Sequence, residues 1–214
     1  MSLALRRKQL LVPSLFNRLI ARHFRRPSGL LGRFTASIME KGNRSNYERL
    51  LKELDPEPSQ KILEIGYGPG VGIELLLSAR PDSMIYGIDF SKLMYRQANK
   101  RNKDAIRLGK VRLFYGDFLT APMSAGSFDV IFCINVLYFW NPLSVPFEKV
   151  RSLLAPNGCF LIYMAPKEFF IKRGAPDDIF NKYSIEQVEE ALHKAGFQTV
   201  RSAYEKGYYI KAMK

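Results

Sequence analysis

From residue 60 onward the chain alternates two hydrophobic periods. Short apolar runs at Lys61 to Ile65, Met84 to Ile88, Val111 to Tyr115, Asp129 to Ile134 and Gly158 to Met164 read as strands. Between them, Val71 to Ala79, Ser91 to Asn102 and Val145 to Leu154 carry helical spacing, with Ser91 as a cap and the turn Pro156-Asn157-Gly158 before the fifth strand. A further helix, Ser184 to Ala195, stops at Gly196, and Phe197 to Tyr204 and Gly207 to Ala212 are close enough to pair as antiparallel strands. Alternating strands and helices imply an α/β domain: a mostly parallel sheet with helices on both faces. Ligands then sit at the carboxyl ends of the strands, near the switch in strand order.

The N-terminal part has a different pattern. Leu15, Phe16, Leu19, Ile20, His23 and Phe24 recur at helical spacing, with Arg18, Arg22, Arg25 and Arg26 mostly opposite them, which predicts a short basic amphipathic helix. Pro27-Ser28-Gly29 ends it. A second helical stretch, Gly32 to Leu54, stops at Asp55-Pro56-Glu57-Pro58 because proline cannot continue a helix. The expected division is a basic helical extension or lid over 1–55 and a ligand-binding domain over 56–214.

Charge sharpens this division. Of the formal +13, residues 1–39 hold eight cations and no acid before Glu40, which suggests an anionic partner such as a lipid headgroup, a nucleic acid or an acidic substrate; a solvated basic arm is the plain alternative. Cys133 and Cys159 lie in apolar strand runs and read as core residues rather than a disulfide or metal site, which suggests a cytoplasmic setting. No apolar run is long enough to span a bilayer, and Pro13, Asn17 and Arg18 interrupt what a signal peptide would keep apolar.

After the first strand the chain reads Glu64-Ile65-Gly66-Tyr67-Gly68-Pro69-Gly70-Val71-Gly72, a turn into a helix with glycine at alternate positions. Such a turn lets backbone N–H groups approach a ligand closely. It is neither a dinucleotide fingerprint, which needs glycine where Val71 or Ile73 stands, nor a P-loop, which needs Gly-Lys-Ser/Thr. Asp89 closes the second strand before Phe90, and Gly116-Asp117-Phe118 follows the third. Ser127 to Trp140 and Leu153 to Ile162 supply the fourth strand, a helix, a turn and the fifth strand.

In this order these segments resemble the class I S-adenosylmethionine (SAM) dependent methyltransferases, over about residues 60–165. The resemblance implies a Rossmann-like seven-stranded sheet, mostly parallel with an antiparallel C-terminal strand, and SAM as cofactor, with S-adenosylhomocysteine as product. It implies that Glu64, Gly66, Tyr67, Gly68 and Gly70 form the methionine loop, that Asp89 grips both ribose hydroxyls beside Phe90, and that Asp117 and Phe118 meet the adenine, with Asn135 completing the cofactor set. Tyr67 departs from the Cys, Ser or Thr that many members carry, and its ring is expected to narrow or shield the methionine pocket. Asp89 as a helix-dipole partner and Asp117 as an Asx turn are the structural alternatives.

Methyl transfer from a sulfonium needs an oriented, unprotonated nucleophile and exclusion of water more than a strong base, which suits a chain with only His23 and His193. Tyr138 is the candidate catalytic residue, and Tyr138, Trp140, Phe169 and Phe170 are the candidate substrate contacts; core packing is the alternative for the aromatic run. No metal is expected. No Asn/Asp-Pro-Pro-Tyr/Phe follows the fourth strand and neither cysteine has a Pro-Cys context, so the chain does not resemble the amino-methylating DNA and glutamine enzymes or the cytosine-C5 enzymes. The expected acceptor is a small or amphiphilic molecule, as in ubiquinone/menaquinone-biosynthesis and phosphatidylethanolamine N-methyltransferase relatives. RNA methylation, and a SAM-binding scaffold whose basic arm docks on lipid at a membrane surface, are the alternatives.

Overall fold

Four of the five residues of β1 (Lys61–Ile65) are buried, so this strand needs a neighbour on each edge and cover on each face. The computed structural model, which describes residues 18, 21–54 and 59–214, supplies all four. β1 pairs in parallel with β2 (Met84–Asp89) on one side and with β4 (Phe128–Ile134) on the other. β3 (Val111–Tyr115) extends the first side, and β5 (Leu154–Met164) the second. The last two strands, β6 (Thr199–Tyr204) and β7 (Tyr208–Met213), form an antiparallel hairpin whose β7 pairs antiparallel with β5, giving the order β3-β2-β1-β4-β5-β7-β6.

Successive strand residues point to opposite faces, so the sheet separates two cores. On one face Leu63, Ile131, Phe160 and Ile162 pack under α5 (Ser144–Leu153) and α7 (Ile185–Lys194) through Phe147, Val150, Val188 and Leu192. On the other, Ile62, Ile85, Phe132 and Leu161 meet Tyr47 and Leu50 of α1 (Gly29–Lys52), Ile73 and Leu76 of α2 (Val71–Ala79) and Ala98 of α3 (Lys92–Arg101). Ser184 and Gln187 close a capping box at the start of α7, which fixes where that helix begins.

Two short helices add to the sequence expectation: α4 (Lys103–Arg107), and α6 (Lys167–Lys172) inside the segment expected to be a loop. The expected N-terminal helix is described at 21–25; Leu15, Phe16, Leu19 and Ile20, like Asp55 to Pro58, lie outside the described residues. Among the described residues no helix is long and apolar enough to cross a membrane.

The chain runs from β1 outward to β2 and β3 and then returns to place β4 on β1's other edge. Loops leaving β1 and β4 therefore diverge, and their carboxyl ends leave an opening.

Candidate functional site

A cleft of about 390 Å³ fills this opening. Its walls are the β1 loop (Gly66, Gly68), the end of β2 (Asp89, Phe90), the β3 loop (Gly116 to Leu119), and the segment after β4 (Asn135, Val136, Phe139 to Pro142). Phe24, Arg25, Pro27 and Met39 add a wall from the N-terminal part of the chain. The size falls in the range of small-molecule and cofactor sites.

Gly66 has φ +76°, and a Cβ there would come within 2.6 Å of Val136 Cγ2, so only glycine lets the β1 and β4 loops approach. Gly68 also has positive φ, and nothing lies within 4 Å of where its Cβ would stand. Its N–H donates to Asp89 Oδ2 at 3.0 Å, while Ser91 N–H donates to Oδ1 at 2.7 Å. These two bonds fix the carboxylate, and each oxygen keeps a lone pair for a further donor. Burial nevertheless dominates its titration, pushing Asp89 up to about 6 against the pull of the two backbone donors. Asp117 lies on the same cleft, its Oδ1 accepting from Leu119 N–H at 2.9 Å in an Asx turn. The turn expected as an alternative to a ligand-facing role is therefore present together with a place on the cleft.

Asn135 sits in the left-handed region at φ 57°, an uncommon conformation for a residue other than glycine and one that clusters at functional sites. Its Nδ2 donates to Asn43 Oδ1 of α1 at 2.9 Å, and its Oδ1 accepts from the Tyr138 hydroxyl at 2.9 Å. Phe118 and Trp140 lie 6.0 Å apart and both line the cleft.

Several expected contacts stand off the cleft. Glu64 is fully buried beneath the glycine loop, where its Oε1 accepts from the Tyr47 hydroxyl at 2.7 Å and its Oε2 has no partner among the described residues. Desolvation pushes its carboxyl up to about 8, opposed by the Tyr47 hydrogen bond. Tyr67 turns its ring toward Gly87 and its hydroxyl to Phe114 O at 3.0 Å, away from the cleft it was expected to narrow. Gly70 begins α2 against Ala98 and Asn102.

Tyr138 is buried, with its hydroxyl held between the Asn135 side chain and the Ala165 backbone; burial raises its pKa well above the ordinary phenol value. Phe170 packs on Tyr138 at 4.3 Å, and Phe169 stacks beneath Arg173 at the surface. None of these three lines the cleft, whereas Phe139 and Trp140 do.

The motif reading did not find Tyr47 and Asn43 in α1, nor Phe24, Arg25, Pro27 and Met39 on the cleft wall. The sequence signals among them were Phe24 and Arg25, on the apolar and basic sides of the first helix, and Pro27 at its end. His23 does not line the cleft; its Nδ1 accepts from Ser28 N–H at 3.4 Å. Pro27 O accepts from the Ser91 hydroxyl at 2.8 Å, while Arg26 lies 5.9 Å from the Phe90 ring centroid. The N-terminal segment is thus fastened to the start of α3.

A glycine-floored cleft at the strand-order switch, with a carboxylate at the end of β2, defines an α/β protein built to hold a nucleoside-like ligand. Comparison with known proteins makes the class specific. Residues 62–158 match the methyltransferase domain family. The uncharacterised methyltransferase YdaC of Bacillus subtilis is 30% identical over 131 residues, covering 61% of this chain and 70% of that protein. The malonyl-[acyl-carrier protein] O-methyltransferase of Legionella pneumophila is 30% identical over 137 residues, 64% of this chain but only 47% of that protein. Among solved structures, Haemonchus contortus phosphoethanolamine N-methyltransferase 2 in complex with SAM superposes with a TM-score of 0.65 at 23% identity, over 75% of this chain and 38% of that one. The chain belongs to the class I SAM-dependent methyltransferases, and SAM is the cofactor of that family.

Proposed function

We propose that this protein transfers the methyl group of SAM to a small or amphiphilic acceptor that enters beside Phe139 and Trp140. The observation that carries this reading is the convergence of Asp89, Asp117 and the Gly66–Gly68 backbone on one 390 Å³ cleft. The residues fit the cofactor: Gly68 leaves open space where a side chain would stand, and Asp89 is already oriented by two backbone donors.

In this reading Asp89 accepts from the two ribose hydroxyls, Asp117 and Phe118 meet the adenine, and the glycine turn approaches the methionine portion. Bound SAM supplies an electrophilic methyl on a sulfonium. The chain's own contribution is positional and electrostatic. Phe139 and Trp140 exclude water and offer ring faces to positive charge, worth about 0.5–2 kcal/mol by cation–π attraction. Phe24, Arg25 and Pro27 line the cleft, which supports a lid role for the N-terminal segment. Asn135 links the β4 loop to α1 through Asn43, holding the acceptor side against the lid. Among the described residues no side chain lining the cleft is poised as a strong base, which fits an acceptor that arrives with an available lone pair.

Calorimetric titration with S-adenosylhomocysteine tests the cofactor half: saturable binding at one site is expected, and its absence in folded protein would reject the reading. Methyl transfer from labelled SAM to a panel of amine, carboxyl, hydroxyl and amphiphilic acceptors tests the other half. The basic N-terminal segment further supports a peripheral location at an anionic membrane surface.

A further inference from the structure

A second cleft, of about 640 Å³, opens on the outer side of Pro27. Four cations line it: Arg26 and Arg33 from the N-terminal segment and α1, and Lys92 and Arg96 from α3. No acid lines it, and none of the four pairs with a carboxylate among the described residues. Surface arginines elsewhere in this chain do find carboxylates, as Arg101 does with Glu40 at 2.9 Å and Glu74 at 3.2 Å. Tyr115 supplies an aromatic wall.

Four like charges around one opening repel each other until an anion enters, and guanidinium groups present paired donors matched to phosphate oxygens. The volume exceeds what a bare phosphate needs and suits a phosphate ester with an organic part. Two of the cations belong to the lid side and two to α3. The joint between these sides is the contact of Ser91 Oγ with Pro27 O, and Pro27 also lines the cofactor cleft.

We infer that this cleft binds a phosphate monoester, distinct from the methyl acceptor, and that its occupancy holds the N-terminal segment on α3 and so keeps the cofactor cleft closed. The coupling half of this inference rests on the cofactor reading above.

The test measures the melting temperature of the full chain and its affinity for S-adenosylhomocysteine, in inorganic phosphate and in chloride at equal ionic strength and pH. Wild type is expected to melt higher in phosphate and to bind S-adenosylhomocysteine about fivefold or more tightly, within the usual range of coupling between sites. Arg33 and Arg96 are exposed and off the cofactor cleft, so the double variant Arg33→Gln/Arg96→Gln is expected to keep its chloride affinity and lose the phosphate response. Flotation with phosphatidylcholine vesicles, with and without phosphatidic acid, identifies the source. Recruitment by phosphatidic acid that the double variant abolishes assigns a lipid headgroup; a phosphate response without recruitment assigns a soluble ester. Identical behaviour of wild type in phosphate and chloride, or an undiminished response in the double variant, overturns the site. Failure of S-adenosylhomocysteine to bind in chloride would instead overturn the cofactor reading.

Discussion

The single carboxylate of Asp89 both shapes the glycine loop and faces the cleft. Hydrogen bonds to a charged group contribute about 1.5–3 kcal/mol each. Asp89→Ala is therefore expected to weaken S-adenosylhomocysteine binding at least tenfold by calorimetry, while Asp89→Asn, which keeps one acceptor, separates loss of charge from loss of loop geometry. Because burial pushes this group up to about 6, its ionised form prevails only above that pH. Cofactor affinity should decline as pH falls through 6, and a dissociation constant flat between pH 5 and 8 would contradict an ionised Asp89 as the ribose partner. Tyr138 is a different case: its hydroxyl is engaged with Asn135 and Ala165 and stands off the cleft. Tyr138→Phe is expected to lower stability by about 1–3 kcal/mol, the cost of stranding buried polar partners, while changing kcat only a few-fold. A thousandfold loss of kcat at unchanged stability would restore Tyr138 to a catalytic role.

At the scale of elements, the strands and helices with strong periodicity were legible because their burial is one-sided or complete. β1, α2 and β3 have the bounds their apolar runs predict. The polar segment Lys103–Arg107 buries no residue and so leaves no hydrophobic period to read. Lys167–Lys172 buries only Phe170, against the rings of Phe180 beyond the helix and of Tyr138, which lies distant in sequence. The same limit hid the contribution of α1, since Asn43 bonds a residue 92 positions away and Tyr47 one 17 positions away. No local motif announces such pairs.

Ser91 ties two elements at once, capping α3 through Met94 N–H and donating to Pro27 O. Its replacement by Ala should cost about 1 kcal/mol for the cap and release the lid segment. Trypsin is then expected to cut after Arg25 faster in Ser91→Ala than in wild type, and saturating S-adenosylhomocysteine should slow that cleavage in wild type. Equal cleavage with and without the ligand would show that residues 24–27 do not close over it.

For the whole molecule, the glycine loop works because a layer beneath it is rigid, and that layer stores an electrostatic cost. The sequence placed Glu64 among the cofactor contacts; the structure puts it one layer lower, fully buried and bonded to Tyr47, where its ionisation bears on the stability of the whole fold. Its carboxyl titrates near 8 in the folded chain against an ordinary 4.5, and Asp89 near 6 against 3.8. Between the paired values the folded state holds protons that the unfolded state has released. Both groups therefore contribute fully to stability below their unfolded values, and that contribution falls as pH rises, being lost above about 6 for Asp89 and above about 8 for Glu64. Glu64→Gln keeps an acceptor for the Tyr47 hydroxyl and removes the titration. Relative to wild type, the variant should gain stability in urea unfolding between pH 5 and pH 8.5, because only wild type must bury a charge at the higher pH. The comparison cancels the exposed carboxylates, which are shared by both proteins. A stability difference that stays constant across this range would mean that Glu64 is ionised throughout, and that the loop's foundation carries a charge stabilised by partners other than Tyr47.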